Sequence, residues 1–275
     1  MADIDRIAVI QLGPDDAAAG LALSTEAHWN QKEADWGFFL AKGTVLGVRD
    51  ATGRLVGTAA LLPYASGNTW ISMVLVTESW RRRGLATRLV DACLDTATKQ
   101  GLTAWLDATP AGAAVYGPLG FTPTLQLRRL RLENASPSAA DAPLPAGQIT
   151  EFITCDISAM GFDRRDLLRE LAGRPRSRLV SKGDAMAMVR DGRTARHIGP
   201  LFAQSPAHAL ALVREIVAAE TGPVLIDALA THDDFLKGLT HDGWTVERPF
   251  QRMRFGRLTG NADELPFAVA GPEYG

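Results

Sequence analysis

The residues whose types and order could do chemistry are Arg81-Arg82-Arg83-Gly84-Leu85-Ala86-Thr87. Directly before them lies an apolar run, Ile71-Ser72-Met73-Val74-Leu75-Val76, and a short polar turn, Thr77-Glu78-Ser79-Trp80. From Gly84 onward the apolar residues fall at Leu85, Leu89, Val90, Cys93, Leu94 and Ala97, a helical spacing. A strand therefore runs into a turn that opens a helix. The first amides of a helix have no intrahelical partner, and the helix dipole places partial positive charge there. Such an end holds a phosphate or diphosphate well. Gly84 brings no side chain to keep an anion away, Ala86 brings only a methyl, and three arginines add long-range attraction. The same residues would also make a solvated basic turn with a glycine as punctuation.

The elements that must position this loop can be read in order. A strand is predicted at 6–12, helices at 17–28 and 31–41, and strands at 44–49, 54–63 and 69–76. Asp50-Ala51-Thr52-Gly53 marks a hairpin. The central helix stops at Lys99-Gln100-Gly101. A strand at 102–108, a short helix at 110–119 and a strand at 121–132 complete the first half. This order predicts a mixed α/β sheet with helices packed on its faces.

The chain has 275 residues, enough for two domains, and 46% of them are hydrophobic, enough for a sizeable core. A net charge of −2 argues against a general nucleic-acid binder. The two cysteines, Cys93 and Cys155, make neither a disulfide framework nor a zinc spacing, and the five histidines show no metal pattern. No apolar run approaches membrane-spanning length, and the N-terminus is acidic, unlike a signal peptide. A cytoplasmic protein with no metal, nucleic-acid or membrane partner is expected, as a monomer or homodimer.

Arg81-x-x-Gly84-x-Ala86 after a Val-x-Val strand resembles the acyl-CoA pyrophosphate loop of the GCN5-related N-acetyltransferase (GNAT) family. A second stretch, Ala114-Val115-Tyr116-Gly117-Pro118-Leu119-Gly120-Phe121, resembles another signature of that family, a Tyr on a short helix before a Leu-Gly-Phe turn. The resemblance covers residues 7–132. It implies that Val74, Leu75 and Val76 present backbone groups to the pantetheine and thioester. It further implies that Arg81, Arg82, Arg83, Gly84, Leu85, Ala86 and Thr87 hold the pyrophosphate, and that Tyr116 protonates the departing thiolate. Glu26, His28, Trp29 and Glu33 fall where the family borders its acceptor, and Asp107 ends a central strand. Of these, Glu26 is carried as the base; each is also an ordinary surface or capping residue, and a water chain could serve instead.

The stretch 133–148, with Ser136-Pro137-Ser138 and Pro143-Leu144-Pro145, reads as a linker. The second half then repeats the first: a strand at 148–155, a helix at 163–172, strands at 178–181, 185–190 and 194–202, a helix at 206–220, a strand at 224–229, a helix at 233–239 and a strand at 245–255. Trp105-Leu106-Asp107-Ala108 aligns with Leu225-Ile226-Asp227-Ala228, and Gly120-Phe121-Thr122 with Gly243-Trp244-Thr245. Two acyl-CoA N-acyltransferase folds in tandem are expected, over 1–133 and 149–275, joined by 134–148. The second departs from the family at its loop, Gln204-Ser205-Pro206-Ala207-His208-Ala209: Ala207 replaces the glycine and Pro206 removes an amide donor. It is read as degenerate, a wall of the acceptor pocket. The apolar tail, 266–274, is expected to pack. The resemblance implies transfer of an acetyl group from acetyl-CoA, a co-substrate, to a primary amine of a small metabolite. The alternatives are a non-catalytic acyl-CoA-binding or sensing protein, and a protein or peptide N-acetyltransferase.

Overall fold

The computed structural model describes residues 7–135, 147–257 and 266–275. The first half contains β1 (Ile10–Gln11), α1 (Ala17–Glu26), α2 (Glu33–Lys42), β2 (Thr44–Arg49), β3 (Leu55–Tyr64), β4 (Asn68–Val76), α3 (Leu85–Lys99), β5 (Thr103–Ala108), α4 (Pro110–Tyr116) and β6 (Thr122–Ala135). This is the order that periodicity predicts. The second half contains α5 (Ile149–Met160), α6 (Arg165–Gly173), β7 (Arg178–Lys182), β8 (Ala185–Arg190), β9 (Arg196–Phe202), α7 (Pro206–Ala218), β10 (Gly222–Leu229), α8 (Asp233–His241) and β11 (Thr245–Phe255).

One expectation is corrected. The strand predicted at 148–155 is the start of α5. The β-branched residues of Ile149-Thr150-Glu151-Phe152-Ile153-Thr154 mimic a strand, but the buried positions are Phe152, Ile153, Asp156 and Ala159, which recur with a helical period. The core contact of that face overrides local propensity. Most of the stretch read as a linker, 136–146, lies outside the described residues, whereas Asn134 and Ala135 end β6.

The described strands form one eleven-stranded sheet in the order β1-β2-β3-β4-β5-β11-β6-β10-β9-β8-β7. The last strand of each half has crossed to the other. β11 pairs antiparallel with β5, β6 pairs antiparallel with β10, and the two lie beside each other at the centre. Two buried ion pairs fix this exchange. Arg252 of β11 stands opposite Asp107 of β5 and grips both its carboxylate oxygens at 2.8 Å. Arg129 of β6 stands opposite Asp227 of β10 and does the same, also at 2.8 Å. The two aspartates are the aligned residues of the sequence repeat, so one device is used twice.

The core is shared as well. On one face of the sheet, Trp36, Phe39, Trp70, Phe152, Leu168, Met188 and Tyr274 belong to a single apolar cluster drawn from both halves. On the other face, α3 buries Leu85, Leu89, Val90, Cys93, Leu94 and Ala97 against the first half, while α7 and α8 cover the second. Each such buried Leu or Val contributes about 1.5–3 kcal/mol, so α3 is pinned by its apolar stripe alone.

Each half holds one parallel pair that lasts three residues and then separates. β4 and β5 pair only over Asn68–Trp70 and Thr103–Trp105. β9 and β10 pair only over Arg196–Ile198 and Val224–Ile226. In the second half the gap is filled by the tail. The Phe267 N–H donates to the Leu201 carbonyl at 2.8 Å and Leu201 N–H to Ala268 at 3.0 Å. On the other side Leu229 N–H donates to Phe267 at 3.1 Å and Val269 N–H to Asp227 at 3.0 Å. The tail thus lies as an extra strand between β9 and β10. It then crosses to the first half, where the Tyr274 hydroxyl donates to Asp35 at 2.7 Å and its ring stacks on Phe39 at 5.3 Å. The packing expected of the tail is observed, and it joins the two halves.

Asp227 also accepts from His197 at 2.8 Å. Although burial alone would raise its carboxyl, Arg129 and His197 hold it well below the usual carboxylate range. A folded-state value below the unfolded one, about 3.9, gives stability that is complete at neutral pH and is lost as pH falls below about 4. Replacing Asp227 by Ala leaves Arg129 buried without its partner, and we expect a loss of about 3–5 kcal/mol at pH 7. Chemical denaturation at pH 7 and pH 3 checks both points: the gap between wild type and Asp227→Ala should narrow at the lower pH.

Candidate active site

The open gap between β4 and β5 is the site's foundation. Past Trp70 the strands diverge, and a bulge in β4 sharpens the bend: Thr58 and Ala60 of β3 stand opposite Leu75 and Ser72, so Met73 and Val74 face a single residue. Met73 has φ +51°, and its carbonyl accepts the Thr58 hydroxyl at 2.8 Å. The gap is lined on one side by Ile71, Ser72, Met73 and Val74, and on the other by Leu106, Asp107, Ala108 and Thr109. It encloses about 650 Å³, its open mouth included.

α3 begins just past the end of β4. Gly84, its N-terminal flank, has φ +82° and offers no side-chain cap, and a side chain added there would meet open space. The first amide to find an intrahelical carbonyl is that of Arg88, on Gly84, at 3.0 Å. The preceding amides of the first turn are the ones a helix leaves for an outside acceptor. The arginines of the loop are partly spent on its shape. Arg81 Nε donates to the Val76 carbonyl at 3.0 Å, and Arg83 donates to Ser79 at 2.8 Å while lying 5.3 Å over the Trp80 ring.

The corresponding end of α7 is closed. The Ser205 hydroxyl accepts the His208 N–H at 3.2 Å, and Asp184 places a carboxylate there, taking the Gln204 N–H at 2.6 Å and His208 Nδ1 at 2.5 Å. Pro206 opens the helix. A resident carboxylate and the inserted tail fill in the second half what is open in the first.

Tyr116 ends α4 and lines the gap, with its ring 6.0 Å from Phe121. Burial pushes its phenol up to about 12. Trp29 lines the same cleft. Its loop is clamped by the turn between β8 and β9: the Asn30 carboxamide oxygen accepts Thr194 N–H at 2.8 Å and Ala195 N–H at 3.0 Å, and Arg193 donates twice to the Trp29 carbonyl. Asp107 also lines the cleft, with both oxygens held by Arg252; burial still lifts its carboxyl above the ordinary range.

The remaining predicted residues lie elsewhere. Glu26 is outside the cleft lining, and its carboxylate accepts the Thr77 hydroxyl at 2.8 Å and the Glu78 N–H at 2.7 Å, which ties α1 to the end of β4. The Glu78 bond is the main reason its carboxyl is lowered, so a base role would require release of these contacts. His28 is exposed, with φ +58°, and Glu33 is exposed in a separate depression. Sequence reasoning missed Gln31, Arg129, Arg248, Phe250 and Glu273, which complete the walls. Ser72 carried a readable signal, a lone polar residue in an apolar strand. Among the described residues no cluster of His, Cys, Asp or Glu could hold a metal, and no helix is long and apolar enough to cross a membrane.

Comparison with known proteins agrees with this geometry. The acetyltransferase (GNAT) family profile matches residues 15–121, and an acetyltransferase (GNAT) domain profile matches 152–265. An uncharacterized N-acetyltransferase of Bacillus subtilis (strain 168), YitH, is 24% identical over 247 residues, 86% of this chain and 87% of that protein. Among solved structures, a candidate acetyltransferase from Pyrococcus horikoshii superposes with a TM-score of 0.82 at 19% identity, covering 100% of this chain and 98% of that one. A GCN5-related N-acetyltransferase from Sphaerobacter thermophilus gives 0.66 at 15% identity, covering 94% and 100%. GNAT profiles match both halves, the first of which holds the open strand gap and the uncapped helix, and the chain belongs to the GCN5-related N-acetyltransferase family, with two GNAT domains in tandem.

Proposed function

We propose that the first half transfers an acetyl group from acetyl-CoA to the primary amine of a small molecule, by direct attack while both are bound. The observation that carries this reading is the uncapped N-terminus of α3 at the end of the strand that opens the cleft, with Tyr116 on the cleft wall. The amides at Gly84–Thr87 receive the diphosphate, with Arg81, Arg82 and Arg83 supplying the field around it. Val74, Leu75 and Val76, at and beyond the bulge, offer backbone groups to the pantetheine arm and the thioester oxygen. The amine attacks as the free base: its nitrogen bonds to the carbonyl carbon, the C–S bond breaks, Tyr116 gives its proton to the sulfur, and the proton shed by the nitrogen passes to solvent, from which Tyr116 is reprotonated. A phenol at about 12 is a neutral donor throughout the physiological range.

A small acceptor fits better than a protein tail because the cleft is walled by Phe250 and Arg248 of β11 and by Pro272 and Glu273 of the tail. The second half, closed at α7 and filled by its tail, acts as that wall and as the clamp on the Trp29 loop.

Two variants test the reading. Tyr116→Phe should lower kcat about 10²–10⁴-fold and leave CoA affinity within twofold, read by thiol release and calorimetry. Unchanged kcat would remove Tyr116 from the chemistry, and CoA binding without thiol release from any primary amine would leave a binding protein. Gly84→Val forces a β-branched residue to φ +82° at the anion site, and CoA should bind about tenfold or more weakly by calorimetry.

A further inference from the structure

A carboxylate beside an anion site needs a reason to be there, because its charge repels the ligand. Glu26 is such a carboxylate. It closes α1, stands outside the cleft lining and is half-buried against the turn that leads from β4 into the diphosphate loop. Its Oε1 accepts the Thr77 hydroxyl at 2.8 Å and the Glu78 N–H at 2.7 Å, and its Oε2 shares the same hydroxyl at 2.8 Å. Arg54 Nη2 lies 3.6 Å from Oε2. The Glu78 N–H above all, then the Thr77 hydroxyl, Arg54 and Arg81, hold the carboxyl below its ordinary range against the effect of burial.

These bonds hold a short segment on which the loop is built. Glu78–Trp80 is one turn of 3-10 helix, and Thr77, its N-terminal flank, makes no side-chain cap. The Thr77 hydroxyl goes to Glu26 instead, and Glu26 supplies the cap from a different helix. Thr77 N–H on the Val56 carbonyl at 2.9 Å continues the β3–β4 pairing, and just beyond it Glu26 takes over. Arg81 N–H then closes the turn on the Glu78 carbonyl at 3.2 Å. The loop arginines brace on the same few residues, Arg81 on Val76, and Arg83 on Ser79 and the Trp80 ring. Gly84 and the uncapped start of α3 follow directly.

We propose that Glu26 is a positioning residue for the diphosphate loop: capping the Glu78 turn from α1, it sets how Arg81, Arg83 and the start of α3 meet the coenzyme. The proposal rests on the reading of Gly84–Thr87 as the diphosphate site, and it gives Glu26 a role other than the base. A base must exchange its acceptor bonds for a proton, whereas a capping carboxylate keeps them. Substitution separates the two roles. Glutamine keeps an oxygen for Thr77 and Glu78 but cannot take up a proton, and alanine removes the contact altogether.

Calorimetric titration of the full chain with coenzyme A compares wild type, Glu26→Gln, Glu26→Ala and Thr77→Val, with Gly84→Val reporting on the loop itself. Glu26→Ala should bind about tenfold or more weakly, because hydrogen bonds to a charged group are lost. Glu26→Gln should stay within about threefold of wild type, and Thr77→Val, which loses one donor and keeps its shape, should bind about threefold more weakly. A merely structural role would lower the melting temperature and leave the affinity of the folded protein unchanged. Thr77→Val keeps the test open if Glu26→Ala does not fold. Thiol release from acetyl-CoA with n-butylamine adds a kinetic split: Glu26→Gln should keep its kcat, and Glu26→Ala should raise the KM for acetyl-CoA more than it lowers kcat. If this amine releases no thiol, the calorimetric result decides alone. Unchanged affinity in folded Glu26→Ala, or in Thr77→Val where that variant stands in for it, overturns the proposal. So does a loss of kcat of about a hundredfold in Glu26→Gln at unchanged affinity, which would make Glu26 the base. If Gly84→Val also leaves the affinity unchanged, the loop reading fails and takes this proposal with it; if Gly84→Val weakens binding and the other variants do not, this proposal alone fails.

Discussion

Two parallel strands that pair for three residues and then part create a wedge inside a sheet and free backbone groups that need partners from outside the strand ladder. Something must satisfy the backbone groups that the separation frees. This chain contains the situation twice and resolves it in two ways. Between β9 and β10 the tail enters and hydrogen-bonds to both edges. Between β4 and β5 the gap stays open and is shaped by a bulge, an uncapped helix and a buried phenol. The same local geometry is thus structural in one half and available for chemistry in the other.

The halves are not independent bodies that merely touch. β6 and β11 change places, and a bidentate Asp–Arg pair locks each crossing strand. Buried pairs of this kind add little net stability over apolar packing, but breaking one is costly, which makes them good devices for enforcing one strand order. The tail adds a third tie, running from the second wedge to the aromatic core around Phe39. As a result, the walls of the open cleft come from both halves. An enzyme built from the first 133 residues alone would lack Phe250, Arg248, Pro272 and Glu273.

The sequence was most legible where the signal is local. The strand, turn and helix around Gly84 each carry their own periodicity, and a helix start without a side-chain cap follows from residue types within seven positions. Tyr116 was found through its neighbours, and Trp29 and Asp107 do reach the cleft. The strand exchange was not legible, because β6 and β11 carry the same alternation whichever partner they take; what selects the partner is the match of Arg129 and Arg252 to aspartates about a hundred residues or more away. The strand assigned to 148–155 failed because β-branched residues outweighed a helical burial pattern. Gln31 and Glu273 escaped notice for a different reason. Gln31 reaches the cleft through the clamp on Asn30 and Glu273 through the anchored tail, and contacts so distant in the chain are visible only in three dimensions.

The central claim is that one wedge is open to an acyl-CoA and the other is filled by the chain itself. Calorimetric titration of the intact protein with coenzyme A measures this directly. The account predicts saturation at one coenzyme A per chain, with binding weakened by Gly84→Val and unaffected by substitution of His208 at the start of α7. Two equivalents per chain, or a single equivalent insensitive to Gly84→Val, would contradict it.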